Sequence, residues 1–283
     1  MNDVPYEFID RVFTKLTIQD VQTIAVEAPV WKEVKRVYEE KHLSLHVNLY
    51  LPNADHEFTY EICKENDQDV QFTLDEALKL DSRFYRVNHF HICETDSDEL
   101  WTDLDVERIP DLLDYASRFN LTTLVLHDSS ESPSDFETKL AAREFRTKTL
   151  NMDYVLGAEF LKKQLQSREL QTLFAYNFAH CSAELMDDLE AFVCRPNFLR
   201  LHCDFQCFEM ENFKRIVAYW KTAETVNKWK IWMETNRNLY DDFASWMTPC
   251  VDRPQFCEQF GNFTLTIVCD DGQCELTCEE NVQ

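Results

Sequence analysis

Short apolar strands that alternate with helical segments recur through the second half of the chain, and this recurrence constrains the fold more than any other feature. Five strand candidates centre on Leu124, Leu150, Leu173, Leu199 and Trp229, which lie 26, 23, 26 and 30 residues apart. Apolar side chains at helical spacing occupy the segments around them, at 106–119, 135–145, 155–168, 182–194, 210–226 and 238–247. One strand and one helix cannot bury their apolar sides alone, so successive units must pack on each other.

A unit of one strand and one helix every ~25 residues is the period of leucine-rich repeats. The recurrence therefore predicts an α/β fold in which residues 42–283 form an LRR-like strand–helix solenoid. A compact, doubly wound α/β domain is the alternative. Such a domain usually carries a glycine-rich phosphate loop after an early strand. The chain has only 3 glycines, at positions 157, 261 and 272, so the solenoid is favoured.

A β-hairpin is predicted at about residues 262–280, with Asp271-Gly272 as its turn. Strict alternation places one set of apolar side chains on the same face, namely Leu265, Ile267, Cys269, Cys274, Leu276 and Cys278. A repeat array needs a cap over its last apolar layer, and we expect this hairpin to be the cap.

The first 41 residues predict three short helices. Pro5 and Pro29 each suit a first helical position, where the missing N–H costs nothing. Apolar side chains at helical spacing follow Pro5, at Phe8, Ile9, Val12, Phe13 and Leu16. About forty residues cannot bury that many large side chains unaided. The surplus must contact the rest of the chain or another protein.

Residues 4–31 contain a spaced set of residues, namely Val4-Pro5, Glu7-Phe8-Ile9, Val12-Phe13, Leu16, Asp20-Val21 and Trp31. In these residues and their spacing the segment resembles the F-box motif, and its sequence is most similar to the F-box families of nematodes. Val4 replaces the commoner Leu, and Glu27 stands where a Val is usual. The resemblance implies an F-box-like helical domain at residues 1–41 that binds a Skp-family adaptor. The residues it implies as adaptor contacts are Pro5, Phe8, Ile9, Val12, Phe13, Leu16 and Val21.

Composition narrows the classes of partner. The formal net charge of -24 disfavours binding of nucleic acid and of anionic membranes, since both need positive charge. The polar, acidic N-terminus and the lack of a ~20-residue apolar run predict an intracellular protein, cytoplasmic or nuclear or both. The 11 cysteines are then expected to be reduced thiols.

No residue pattern predicts bond chemistry, a metal or a cofactor. Cys269, Cys274 and Cys278 lack the paired Cys-x-x-Cys knuckles of structural zinc, and the alternation makes them core residues. His89 and His91 are expected on one strand face together with Tyr85 and Val87, with no third ligand. No local signature of a catalytic nucleophile accompanies any cysteine, so we expect a protein that is not an enzyme.

Two functions remain open. The first is a substrate-recognition subunit of an SCF-type cullin–RING ubiquitin ligase, which would hold a protein substrate on its repeat region and raise the substrate's effective concentration near the conjugating enzyme. The second is a protein-interaction solenoid whose N-terminal helices are only a structural cap. Under either function the substrate or partner would bind the strand-bearing face, where alternation exposes Thr123, Val125, Thr149, Asn151, Phe174, Tyr176, Arg200, His202, Lys230 and Trp232. The predicted contacts among these are Tyr176, Arg200, His202, Lys230 and Trp232. This assignment depends on the strand register, because a slip of one residue turns every side chain over.

Overall fold

A computed structural model describes residues 4–14, 16, 18–51, 57–94, 102–127, 136–153, 157–176, 182–203, 209–222, 228–234, 240–250, 255–260, 263–270 and 273–280. The strands are β1 (Leu43–Leu51), β2 (Thr59–Lys64), β3 (Asp67–Gln71), β4 (Tyr85–Glu94), β5 (Thr102–Asp103), β6 (Asn120–Leu126), β7 (Arg146–Asp153), β8 (Thr172–Tyr176), β9 (Arg200–Cys203), β10 (Trp229–Glu234), β11 (Gln255–Phe260), β12 (Phe263–Asp270) and β13 (Gln273–Glu280). The helices are α1 (Tyr6–Phe13), α2 (Ile18–Thr23), α3 (Pro29–Lys41), α4 (Leu74–Ala77), α5 (Ile109–Ser117), α6 (Phe136–Ala141), α7 (Gly157–Gln166), α8 (Ala183–Val193), α9 (Met210–Thr222) and α10 (Tyr240–Ala244), with a short 3-10 helix at Val106–Arg108.

The strands form a single mixed sheet. Its order is β11-β12-β13-β10-β9-β8-β7-β6-β4-β1-β2-β3, and β5 pairs with β2. The seven strands from β1 to β10 along this path run parallel to one another. Antiparallel strands flank them at both ends, since β2 pairs with β1 and β13 pairs with β10. None of the described helices has both the length and the apolar character needed to cross a bilayer.

The helices α5 to α9 follow the parallel strands in alternation and share one core with them. Local sequence explains where several helices begin. Ser182 accepts a hydrogen bond from the Leu185 N–H at 3.2 Å and caps α8, which satisfies one of the free donors of the first turn. Thr73 and Glu76 form a capping box at the start of α4, an arrangement that satisfies two such donors at once.

The core lies between the helices and one face of the sheet. On that face the buried side chains match across neighbouring strands, as Leu124, Leu150, Leu173, Leu201 and Ile231 do. Each of these five side chains is 0% exposed. At ~25 cal/mol per Å² of buried apolar area, each contributes on the order of 2 kcal/mol to folding.

The predicted LRR-like solenoid with a hairpin cap is wrong. The parallel strands are the middle of a 13-stranded mixed sheet, extended on both sides by antiparallel strands. The C-terminal hairpin pairs along β10 through β13, in register from Trp229 opposite Cys278 to Glu234 opposite Gln273, so it continues the sheet and does not cover its end. The repeating pattern identifies the parallel strands in the middle of the sheet. The antiparallel strands that pair with its two outer parallel strands lie in parts of the chain without this pattern, so the pattern did not predict them.

The predicted three-helix F-box-like segment is also wrong as a fold. Among the residues of α1 to α3 whose side chains the structure describes, the completely buried ones are Ile9, Phe13, Val21, Val34 and Tyr38. Phe84, which directly precedes β4, completes this small cluster, with its ring 5.2 Å from that of Tyr38. The helices thus pack on Phe84 beside the sheet and do not adopt the predicted F-box-like fold.

Two details of strand register differ from the sequence prediction. Leu199 is exposed, and Leu201 takes the position beside Leu173 that we assigned to Leu199. Ile231 takes the position beside Leu201 in the same way, where we assigned Trp229. The pairing of β1 with β4 shifts between Leu45 and His46, where Val87 is followed by His89. This bulge turns His89 and His91 to the face opposite Tyr85 and Val87, whereas strict alternation predicted all four on one face.

Candidate protein-binding surfaces

The face of the sheet opposite the helices, here called the open face, carries half-buried side chains of mixed chemistry. It presents the residues that alternate with the core positions of each strand. All ten residues that alternation predicted for the strand-bearing face lie here, and they are Thr123, Val125, Thr149, Asn151, Phe174, Tyr176, Arg200, His202, Lys230 and Trp232. Val125 is the most enclosed of them, at 9% exposed.

An aromatic cluster on the open face joins β8, β9 and β10. His202 is its centre, with ring centroids 4.0 Å from Trp232, 5.1 Å from Tyr176 and 5.9 Å from Phe174. The Trp232 and His202 positions pair directly across β10 and β9. Because three parallel strands present these rings side by side, they form one continuous patch that the strand register alone brings together.

Two cations border the aromatic cluster. The Arg200 guanidinium lies 5.0 Å from the centre of the Phe174 ring, a cation–π distance. Lys230 Nζ lies 2.7 Å from a carboxylate oxygen of Glu275 on β13. Aromatic rings beside Arg are the side chains most enriched at the centres of protein–protein interfaces. The five predicted substrate contacts therefore form one surface of suitable chemistry.

A histidine cluster occupies the open face farther along the sheet, on β1 and β4. His46 Nε2 and His91 Nδ1 are 3.2 Å apart, and His89 Nε2 lies 3.1 Å from a carboxylate oxygen of Glu65. Burial, aided by the neighbouring histidines, lowers the pKa of His91 to about 4. The pKa of His46 is also lowered, first by burial. The imidazoles of these two residues are therefore neutral near pH 7.

Sequence reasoning missed the histidine cluster. It paired His89 with His91 but placed them on the wrong face, and it did not connect either with His46, which lies more than forty residues earlier. In the sequence of β1, His46 alternates with apolar residues and so lies on the other face of the strand. Only the parallel pairing of β1 with β4 brings the ring of His46 to the ring of His91. Among the residues that the structure describes, no group of three or more His, Cys, Asp or Glu side chains is arranged to hold a metal ion.

The structure separates the residues predicted to contact the adaptor into two sets. Ile9, Phe13 and Val21 are buried in the small cluster of the N-terminal helices. Pro5 and Phe8 are exposed, and Val12 and Leu16 are half-buried. Helix α1 thus buries two of its apolar side chains against α3 and the sheet, while Phe8 is 55% exposed.

Tyr38 anchors the inner side of this cluster. Its hydroxyl donates to the Asp10 carboxylate at 3.0 Å, and its ring lies 5.5 Å from that of Phe13. Arg86 of β4 donates to the carbonyl of Thr14. These contacts hold α1 with one side toward the sheet, so that Tyr6 and Phe8 remain on the surface, at 48% and 55% exposed.

No model of a known protein family matches this chain, and a search of curated proteins returns no significant match.

Proposed function

We propose that this protein is a non-catalytic recruiting subunit of an SCF-type cullin–RING ubiquitin ligase. In this proposal the outer side of α1 binds a Skp-family adaptor, which connects the chain to the cullin scaffold. The aromatic cluster of the open face binds a protein substrate. The chain's role is to tether, which raises the effective concentration of a substrate lysine near the conjugating enzyme. Such a subunit works in the cytoplasm, the nucleus or both.

The observation that carries the proposal is the exposure of Phe8 and Tyr6 on a helix whose other side is already packed. A short helix with apolar side chains on two sides has one side to spare for a partner. The F-box resemblance of residues 4–31 supports a Skp-family adaptor as that partner. The resemblance is one of sequence, and the proposal requires binding by the exposed side of α1 without a separate F-box fold.

The open face supports the second half of the proposal. Phe174, Tyr176, His202 and Trp232 offer aromatic area on a rigid sheet, and Arg200 and Lys230 add charge at its border. Rings held on strands lose little conformational freedom when a partner binds. This combination favours a protein substrate, because aromatic rings beside arginine are enriched at the centres of protein–protein interfaces.

An interaction protein without a ligase is the second candidate. It is favoured by the burial of Ile9, Phe13 and Val21, three of the seven residues predicted as adaptor contacts. In this reading the N-terminal helices serve to cover Phe84 at the beginning of β4. The two candidates share the open face and differ only in the use of α1.

Capture of a purified Skp-family adaptor by the full chain separates the two candidates. We expect wild-type protein to retain the adaptor and Phe8→Asp to lose at least ten-fold in affinity, because a charge replaces an exposed apolar contact. Val106→Asp is the matched control, since Val106 is 51% exposed and lies far along the chain from α1. Thermal unfolding checks that both variants keep wild-type stability. If the wild-type chain does not capture the adaptor, the ligase proposal is wrong and the interaction protein remains.

Photo-crosslinking tests the substrate face separately. A photoreactive amino acid placed at Tyr176 or Trp232 should label a partner protein, whereas the same group at Gln68, an exposed residue of the edge strand β3, should not. Labelling from Gln68 alone would argue against the open face as the binding surface.

A further inference from the structure

A cleft of about 740 Å³ lies at the amino-terminal ends of three neighbouring parallel strands, β4, β6 and β7. Each strand contributes a pair of polar side chains to its wall. These pairs are Arg86 and Asn88, Asn120 and Thr122, and Arg146 and Lys148. Thr14 and Leu16, which lie between α1 and α2, line another side of the cleft. The cleft is thus separate from both the open-face aromatic cluster and the exposed side of α1.

The charge of this cleft is opposite to that of the protein. Its lining holds five cationic side chains, Arg83, Arg86, Arg118, Arg146 and Lys148, and one carboxylate, Asp20. The chain as a whole has 52 acidic against 28 basic residues. A concentration of positive charge in a concave, partly enclosed site focuses the field and attracts anions selectively.

Most of these cations lack a carboxylate partner. Arg83 is bound to Asp81, with Nη2 2.6 Å from a carboxylate oxygen. Within the described part of the chain, Arg118, Arg146 and Lys148 form no side-chain ion pair or hydrogen bond. All three side chains are exposed and therefore available to a ligand.

Arg86 supplies positive charge from the half-buried wall of the cleft. Among the described residues its guanidinium donates to carbonyl oxygens, those of Ser82 and Tyr85 at 2.7 Å and that of Thr14. These contacts orient the group without neutralising it. Burial lowers the pKa of Arg86 from its ordinary value, because desolvation disfavours the charged form. An anion in the cleft would relieve this cost.

His42 also lines the cleft. Its Nε2 is buried, and no described residue forms a hydrogen bond with it. Burial is the main cause that lowers the pKa of this histidine, so its ring adds little positive charge to the cleft near pH 7.

We propose that this cleft binds a compact phosphate-bearing ligand, held by Arg118, Arg146 and Lys148 at the rim and by Arg86 in the wall. Guanidinium groups match phosphate oxygens with paired hydrogen bonds, and the side chains of Asn120 and Thr122 offer further donors, whereas the Asn88 amide donates to Glu65. The phosphate belongs to a free small molecule or to a phosphorylated side chain of a peptide, since both present the same group.

The size and surroundings of the cleft favour a compact phosphate ligand over an extended polyanion such as nucleic acid. A volume of about 740 Å³ lies within the usual range of small-ligand sites, ~300–1,000 Å³. Nucleic acid needs a basic surface that follows several phosphates. Here the cleft holds five cations in a protein whose net charge is -24, so a chain of phosphates that leaves the cleft would meet a predominantly acidic protein and be repelled.

Calorimetric titration of the full chain at low salt tests the proposal. The probes are sodium pyrophosphate, a short phosphoserine peptide with its unphosphorylated form, and a 20-nucleotide single-stranded DNA. The test variant is Arg118→Gln/Arg146→Gln/Lys148→Gln. The matched control is Lys32→Gln/Arg168→Gln/Lys228→Gln, which removes the same three charges at exposed positions outside the cleft.

We expect at least one phosphate probe to bind the wild-type chain and to raise its midpoint of thermal unfolding. Affinity should fall at least ten-fold in the cleft variant and less than two-fold in the control. Tighter binding of pyrophosphate identifies a free phosphate compound as the ligand class, and tighter binding of the phosphopeptide identifies a modified protein. Thermal unfolding without ligand verifies that both variants fold.

Three results overturn the proposal. The first is that neither phosphate probe binds wild-type protein. The second is an equal loss of affinity in both triple variants, which would indicate a general charge effect. The third is tighter binding of the DNA than of either phosphate probe. None of these results bears on adaptor capture by α1, so the two proposals fail independently.

Discussion

The two faces of the sheet differ in the burial and chemistry of their side chains, although the same strands form both. On the helix-covered face, Leu173, Leu201 and Ile231 are 0% exposed and match from strand to strand. On the open face, their sequence neighbours Phe174, His202 and Trp232 are half-buried and form a ring cluster beside Arg200. The covered face stabilises the fold, while the chemistry of the open face is less constrained by packing, and this is the face where we propose that a partner binds.

Adjacent residues of β10 allow the strongest test of this contrast. Ile231→Ala should lower the free energy of unfolding by about 3 kcal/mol, since it leaves a cavity in a packed core. Trp232→Ala removes a larger side chain but should cost less than about 1 kcal/mol, because its ring faces the half-buried side. Urea denaturation of both variants measures the difference. Similar losses for the two substitutions would mean that the open face is part of the structural core.

Acidification should destabilise the protein through the histidine cluster of the open face. The pKa of His91 is lowered to about 4, first by burial and then by His46 and His89, whereas the ordinary value of a histidine is ~6.5. Between these values the unfolded chain binds a proton that the folded chain does not, so stability present above pH 6.5 is lost as the pH falls toward 4. After allowance for solvent screening we expect a loss of roughly 1–2 kcal/mol between pH 7 and pH 5.

Denaturation of His91→Gln across the same pH range isolates this contribution. The variant should lose less stability on acidification than wild-type protein. His202→Gln is the control, because His202 lies on β9, several strands away from β1 and β4, and is not among the groups that lower the pKa of His91. An unchanged pH dependence in His91→Gln would show that the cluster does not resist protonation.

The helix cap at Ser182 tests the covered face with a smaller change. Ser182→Ala removes the hydrogen bond to the Leu185 N–H and should cost about 1 kcal/mol or less. The effect should appear as faster amide exchange in α8, which packs on the covered face, with β10 and the open-face aromatic cluster unaffected. Ser182→Gly should cost less than Ser182→Ala, since glycine is tolerated at this position. The reverse order would argue against a capping role.

Much of the local structure follows from patterns in the sequence. The helical spacing around Leu185 and Leu189 predicted α8 at 182–194, close to the observed Ala183–Val193. Alternation predicted Cys269 and Cys274 on one face, and the two residues pair directly in the sheet. These features depend on contacts between near neighbours in the chain, which periodicity reports well. β3, whose residues are all exposed, carries no apolar pattern and was missed.

Two errors in register share one physical cause. His89 was assigned to the face of Tyr85 because alternation was extended through position 88, where the pairing with β1 contains a bulge. Leu199 was aligned with Leu173 because both are leucines near a strand, but Leu201 is the residue that pairs. A bulge or a two-residue shift is decided by hydrogen bonds to the adjacent strand, and these are not visible in the strand's own sequence.

The sequence was enough to locate the parallel strands of the repeating region, the helices between them and the apolar side of most of these elements, because those properties depend on residues a few positions apart. It also determined the acidity of the chain as a whole. The tertiary structure alone decided that the strands join into one mixed sheet, that His46 meets His91, and that a few cations gather in one cleft of an acidic protein. Each of these features brings together residues that are distant in the chain, and so depends on which strands pair. The same sequence pattern is compatible with several strand orders, so the pattern alone does not determine the pairing.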